Sequence, residues 1–184
     1  MRRCSGLALT PALLLALAAA PARAADPLVG SYVGRAHEVD LKNGQEIDRD
    51  IDIVIEPVDD SGLRITWTNV TLVDGRRDVP GVKRRSDQVT LKSTRDGHFY
   101  LAAVGYDPFK TEHEADPTRG DPLRWAVREG NTIEVYSFVI LEDGRYELQA
   151  YERRLTDDGL NLGFERIVDG AVVRRMNGRA VRAD

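Results

Sequence analysis

Residues 145–182 read RYELQAYERRLTDDGLNLGFERIVDGAVVRRMNGRAVR and contain three apolar-rich runs separated by two short turns. Each turn holds an Asp-Gly pair, Asp158-Gly159 or Asp169-Gly170. Such pairs readily take the positive φ angles of a tight hairpin. In the middle run, 159–168, apolar and polar residues alternate, so one face of the run points toward a core. The segment therefore predicts three antiparallel strands in a meander.

The same pattern of apolar run and polar turn continues back to residue 28, and no segment after residue 27 has a helical period. The predicted strands are 28–39, 47–56, 63–73, 82–92, 98–105, 122–129, 132–141, 145–155, 159–168 and 171–182. We predict an all-β fold, an up-and-down antiparallel meander closed into a barrel of about 8–10 strands, because closure leaves no exposed strand edge. A two-sheet sandwich is the alternative.

Residues 1–24 have the order of a secretory signal peptide. Arg2 and Arg3 form a basic start, residues 7–20 form an apolar run, and small residues precede a cleavage point after Ala24. The apolar run is shorter than the roughly 20 residues that span a bilayer, so we expect no stable membrane anchor. The predicted organisation is a cleaved signal peptide, 1–24, and a single β-barrel domain, 25–184. The mature protein is then periplasmic or secreted.

The composition excludes several classes of protein. The chain has 184 residues, of which 42% are hydrophobic and 30% charged, a profile that argues against disorder and against a multi-span membrane protein. Its net charge is −4, and cleavage after Ala24 removes three arginines, leaving 23 basic against 30 acidic residues. An acidic chain is a poor partner for nucleic acid, so none is expected. The only cysteine, Cys4, lies in the signal peptide, so the mature chain has no disulfide.

Sequence motifs for common enzyme chemistry are missing. A serine nucleophile elbow, a phosphate-binding glycine loop and a dinucleotide fingerprint are all absent from the chain. Glu112, His113, Glu114 and Asp116 offer hard ligands for a cation, but their spacing fixes no coordination geometry. The sequence therefore predicts no catalytic residue, no metal site and no cofactor.

A glycine-rich strand opens the predicted barrel with Gly30-Ser31-Tyr32-Val33-Gly34, and an arginine-rich strand ends it. This arrangement resembles the calycin-type barrels, the lipocalins and fatty-acid-binding proteins. In lipocalins a Gly-x-Trp motif places its aromatic ring at the closed base of the barrel, under an arginine of the last strand. The resemblance implies that Tyr32 takes the place of that tryptophan, with Arg179 or Arg182 as its partner.

The resemblance also implies that a small hydrophobic or amphipathic ligand binds in the barrel cavity. The cavity would be approached past the long connection 106–121, because long loops without regular structure are often functional. Aromatic residues on the strands and in this loop are the candidate ligand-binding residues. They are Trp67, Tyr100, Tyr106, Phe109, Trp125, Tyr136 and Tyr151.

Two other functions fit the sequence. Strand 132–141 is apolar on both faces toward its end, so its outer side could pair with another protein, as in a homodimer or a structural or assembly factor of the cell envelope. A small enzyme with a site at the barrel mouth is the other alternative. His98 or His113 would then be the acid or base, beside Tyr100 or Tyr106.

Overall fold

The structure, a computed structural model, describes residues 26–59, 61–94, 96–103 and 115–183. It consists of ten β-strands and one short 3₁₀ helix, Pro117–Arg119. The strands are β1 (Gly30–Asp40), β2 (Glu46–Val58), β3 (Gly62–Thr71), β4 (Lys83–Ser93), β5 (Phe99–Ala102), β6 (Leu123–Glu129), β7 (Thr132–Ile140), β8 (Tyr146–Leu155), β9 (Gly159–Val168) and β10 (Ala171–Arg182). The predicted signal peptide lies outside the described residues.

Every strand pairs in antiparallel fashion with the next strand in sequence, and β10 returns to pair with β1. The seam between β10 and β1 runs from the pair Tyr32 and Arg182 to the pair Asp40 and Arg174. The sheet is therefore a closed, ten-stranded, up-and-down barrel, which confirms the predicted architecture over the sandwich. Within the described ranges, no helix is long and apolar enough to cross a membrane.

Both predicted turns of the 145–182 segment separate strands, but only Asp169-Gly170 takes the predicted positive φ angles, because Gly159 already belongs to β9. Between β9 and β10, Asp169 has φ 48° and Gly170 has φ 80°, the left-handed conformation that a two-residue hairpin turn requires. Strand alternation then divides the side chains between the inside and the outside of the barrel. On β3, Leu63, Ile65 and Trp67 are each at most 5% exposed, and they face the interior as predicted.

One end of the barrel, here called the base, is sealed by the residues before β1. Leu28 is fully buried there, and the Tyr32 hydroxyl donates to its carbonyl oxygen at 2.9 Å. The Arg182 guanidinium lies 5.0 Å from the centroid of the Tyr32 ring and donates to the Tyr32 hydroxyl at 2.9 Å. Of the two arginines that the calycin resemblance offers, Arg182 is thus the one that packs on Tyr32. Arg179 instead pairs with Asp158.

Residues 26–29, which precede β1 and are here called the sealing segment, are linked to the far side of the base by an ion pair. Arg128 on β6 binds both carboxylate oxygens of Asp26, with 2.9 Å between Nη2 and Oδ1. Burial raises the pKa of Asp26, but the bonds from Arg128 and from the backbone N–H of Leu28 outweigh this and hold it below its usual range. Asp26 is therefore ionised at neutral pH, and the base is closed by charge as well as by apolar packing.

Candidate functional site

Three aromatic side chains from different strands meet in the middle of the barrel. The ring of Tyr151 on β8 lies 5.3 Å from Trp67 on β3 and 4.8 Å from Phe164 on β9, measured between ring centroids. Both pairs are tilted, an arrangement that aromatic rings favour over face-to-face stacking. Each residue occupies an inward position of its strand, so together they form an aromatic layer across the lumen.

Arg153 lies next to this layer, at the following inward position of β8. Its side chain is almost fully enclosed, and the residue is only 3% exposed. The guanidinium carbon lies 5.1 Å from the Trp67 ring centroid and 5.8 Å from that of Tyr151. Contacts of this kind between a cation and an aromatic ring are attractive, and more so away from water.

No acidic side chain in the described part of the chain neutralises Arg153. Its Nε and Nη1 atoms are buried without a hydrogen-bond partner. The other buried charges are paired: Glu38 with Arg49 and Arg174, Asp50 with Arg35, and Glu147 with Arg166. Burial lowers the pKa of Arg153 to about 10, so the group still carries its charge at neutral pH. The lumen thus holds one buried cation whose hydrogen-bonding capacity is not used.

A small cavity adjoins Arg153. Its volume is about 30 Å³. The lining includes Ile51, Ile53, Trp67, Tyr151, Leu162 and Met176. A space of this size holds about two water molecules, whereas small-molecule sites usually measure about 300 Å³ or more. The side chains therefore fill most of the lumen at this level, and the site is a mainly apolar pocket whose lining also includes Arg153, Asn69 and Glu152.

The other half of the lumen is polar, and we call it the polar end. Arg49 holds Glu38 through two hydrogen bonds of 2.9 and 3.1 Å. From Tyr151 a chain of hydrogen bonds runs through Gln149 to Glu147, each 2.5 Å long. Burial raises the pKa of Glu147, but the bonds from Arg166 and Gln149 outweigh this and lower it. The polar end is thus an ordered network of ionised groups above an apolar, sealed base.

No protein-family model matches this chain. No curated protein matches it either. The fold and the surroundings of Arg153 therefore carry the functional argument.

The structure brings together two of the predicted ligand-binding residues, Trp67 and Tyr151, at the cavity. Tyr100 also faces inward, but it is buried in the base, beside Arg128. Trp125 and Tyr136 lie on the outer wall, so the lumen lining does not include them. Tyr106 and Phe109, like most of the 106–121 connection, lie outside the described residues.

The outer positions of Trp125 and Tyr136 belong to an apolar surface on β5–β8. Their rings are stacked with centroids 5.2 Å apart, and Phe138 stacks on Tyr146 at 6.0 Å. Leu101 nearby is 52% exposed. Strand 132–141 is thus apolar on its outer side, as its sequence indicates, and the 3₁₀ helix lies against it.

The residue that sequence analysis missed is Arg153. The signal was present, because two-residue spacing places Arg153 on the same face as Tyr151 and Leu155, the face that points toward the core. A charged residue at a core position is uncommon and indicates a specific role. Of the histidines proposed for an enzyme, His98 is exposed, with Nδ1 3.2 Å from the carbonyl oxygen of Arg128, and His113 lies outside the described residues.

A metal site would need at least three histidine, cysteine or acidic side chains close together. In the four described ranges no three of these side chains come together in this way. Asp116, one of the possible ligands in the sequence, instead caps the 3₁₀ helix by accepting a hydrogen bond from the backbone N–H of Thr118.

Proposed function

We propose that this protein is an exported, lipocalin-like binding protein that holds a small amphipathic acid in its lumen, with the acid group on Arg153. The observation that carries the proposal is the buried guanidinium with two unused donors. An unpaired charge in a protein interior is costly, and an anionic ligand offsets that cost by supplying the missing counter-ion. The planar guanidinium matches a carboxylate, which accepts two parallel hydrogen bonds from Nη2 together with either Nε or Nη1.

The rest of the lining favours an apolar body on the ligand. Ile51, Ile53 and Leu162 surround the cavity with hydrocarbon, and Trp67 adds an aromatic wall. The cavity beside Arg153, about 30 Å³ in volume, accommodates the acid group of the ligand. Of the lining residues, Met176 is the one most able to move aside for the remainder, because its unbranched thioether side chain changes shape more readily than the branched residues beside it.

The contributions of the acid group and of the apolar body to binding can be distinguished by comparing octanoate with 1-octanol, which has the same chain length and no charge. The reporter is the fluorescence of Trp67 in a Trp125→Phe variant, which removes the other tryptophan. Hydrogen bonds to charged groups contribute about 1.5–3 kcal/mol. We therefore expect octanoate to bind about 10- to 100-fold more tightly than 1-octanol.

Arg153→Met provides the control, because it removes the charge and keeps a long apolar side chain. In this variant octanoate should bind no more tightly than 1-octanol. Equal affinities of the two compounds for the protein with Arg153 intact would contradict the proposal. Binding of octanoate that is unchanged by Arg153→Met would place the acid elsewhere.

Export is part of the proposal and has its own test. Asp26 of the sealing segment lies directly after the predicted cleavage region, and the first described strand begins at Gly30. N-terminal sequencing of the protein isolated from its own host should therefore begin at Ala25. A chain that retains Met1 would contradict export with cleavage.

A further inference from the structure

The inner face of β4 carries two cations at the polar end of the barrel. Lys83 pairs in register with Thr71, and Arg85 with Asn69, on the side of the sheet that also carries Trp67. Both side chains are exposed, and neither forms an ion pair with any described acidic residue. Burial raises the pKa of Tyr151, and the charge of Asp87 raises it further, whereas the charges of Arg153, Arg124 and Arg85 act in the opposite direction. Two exposed cations, followed inward by the ion pair of Asp87 with Arg124, thus lie on the route between solvent and the aromatic layer.

Beside 83–90 of β4, on the side away from β3, the described residues form few backbone hydrogen bonds. The short strand β5 pairs only with 91–93 of β4. Along 83–90 the described residues provide no strand partner on that side, apart from one bond from Ala103 to Thr90. Arg124 of β6 bridges the interval with bonds of 3.0 Å to Asp87 and to the carbonyl oxygen of Gln88.

The opposite end offers no comparable approach. Leu28 and Tyr32 fill the base, and the pair of Asp26 with Arg128 fastens the segment that covers it. A ligand that reaches Arg153 therefore passes the polar end.

We infer that an anionic ligand enters the lumen at the polar end, and that Lys83 and Arg85 attract it there before it reaches Arg153. The inference rests on the proposed function. Charges at the rim of a site mainly change the rate of association and its dependence on salt, whereas buried contacts set the rate of dissociation. Lys83 and Arg85 are exposed, so their contribution is to the association rate.

The test measures octanoate association by stopped-flow, with Trp67 fluorescence in the Trp125→Phe background. The test variant is Lys83→Ser with Arg85→Ser. The control is Arg84→Ser with Lys92→Ser, which removes the same charge from the same strand on its outer face. At about 20 mM salt, where charges act over roughly 20 Å, we expect the apparent association rate constant of the test variant to fall about 5- to 10-fold. The dissociation rate constant should change less than about twofold.

Two control measurements accompany the test, and two results would overturn a claim. The control variant should associate like its parent, and at about 0.5 M salt the difference between the two double variants should disappear. Equal association rates of the two double variants at low salt would overturn the inference and leave the proposed function intact. No octanoate signal in the parent protein would overturn both the proposed function and the inference that rests on it.

Discussion

Replacing Arg153 by methionine should raise the free energy of unfolding by about 2 kcal/mol. The guanidinium is 3% exposed and has no acidic partner among the described residues, so folding removes its hydration without replacing it. The substitution loses the contacts with Trp67 and Tyr151, which offset part of this cost. Methionine follows the same path as the arginine stem and leaves no large cavity. The gain is measured by urea unfolding at neutral pH.

Arg154→Met is the matched control. Arg154 is the next residue of β8, points outward and forms an exposed pair with Glu152 at 3.1 Å. Such surface pairs contribute little, so this variant should differ from the parent by no more than about 0.5 kcal/mol. A loss of stability in Arg153→Met larger than that in Arg154→Met would show that the buried charge is stabilising. Increased stability together with lost octanoate binding is the expected signature of a residue kept for function.

Gly34→Ala should destabilise the barrel by about 3 kcal/mol, because it forces apart the seam between β1 and β10. An ideal Cβ at this position would lie 2.0 Å from the carbonyl oxygen of Arg179 and 2.5 Å from the Cα of Ala180. Both atoms belong to the backbone of β10, so no side-chain rotation relieves the overlap. Thermal unfolding followed by circular dichroism gives the effect directly.

Gly163→Ala is the comparison for this variant. Gly163 also lies inside a strand, but its Cβ would have one near neighbour, the Cβ of Glu152 at 3.3 Å. A glycine-to-alanine change inside a strand is otherwise slightly favourable, so Gly163→Ala should remain within about 1 kcal/mol of the parent protein. If Gly34→Ala proved as stable as Gly163→Ala, the close approach of β1 and β10 would be wrong.

Local signals predicted the strands well because each depends on neighbouring residues. The hairpin at Asp169 and Gly170 needs two residues with positive φ, and the sequence supplies them. The choice of a barrel over a sandwich depended instead on the pairing of Tyr32 with Arg182, which no local pattern encodes. The described part of β5 ends at Ala102, earlier than the predicted 98–105.

The candidate site was predicted in part. Alternation placed Trp67 correctly, since the outward positions beside it on β3 are polar. It failed for Tyr136, because β7 is apolar on both faces and its period does not distinguish inside from outside. Arg153 was missed because a charged residue in a strand is normally assigned to solvent. Only the three-dimensional arrangement shows that two rings and a small cavity surround it.

The pairing of the first strand with the last also determines when the barrel can close during synthesis. Residues 30–40 cannot complete their sheet until 171–182 have been made, since these two segments are neighbours in the barrel. A nascent chain that lacks its C-terminal segment therefore presents two open strand edges and has no closed state to reach. Contacts so distant in sequence form slowly. The export proposed above would benefit from this delay, because a precursor that cannot yet close its barrel stays extended during transport.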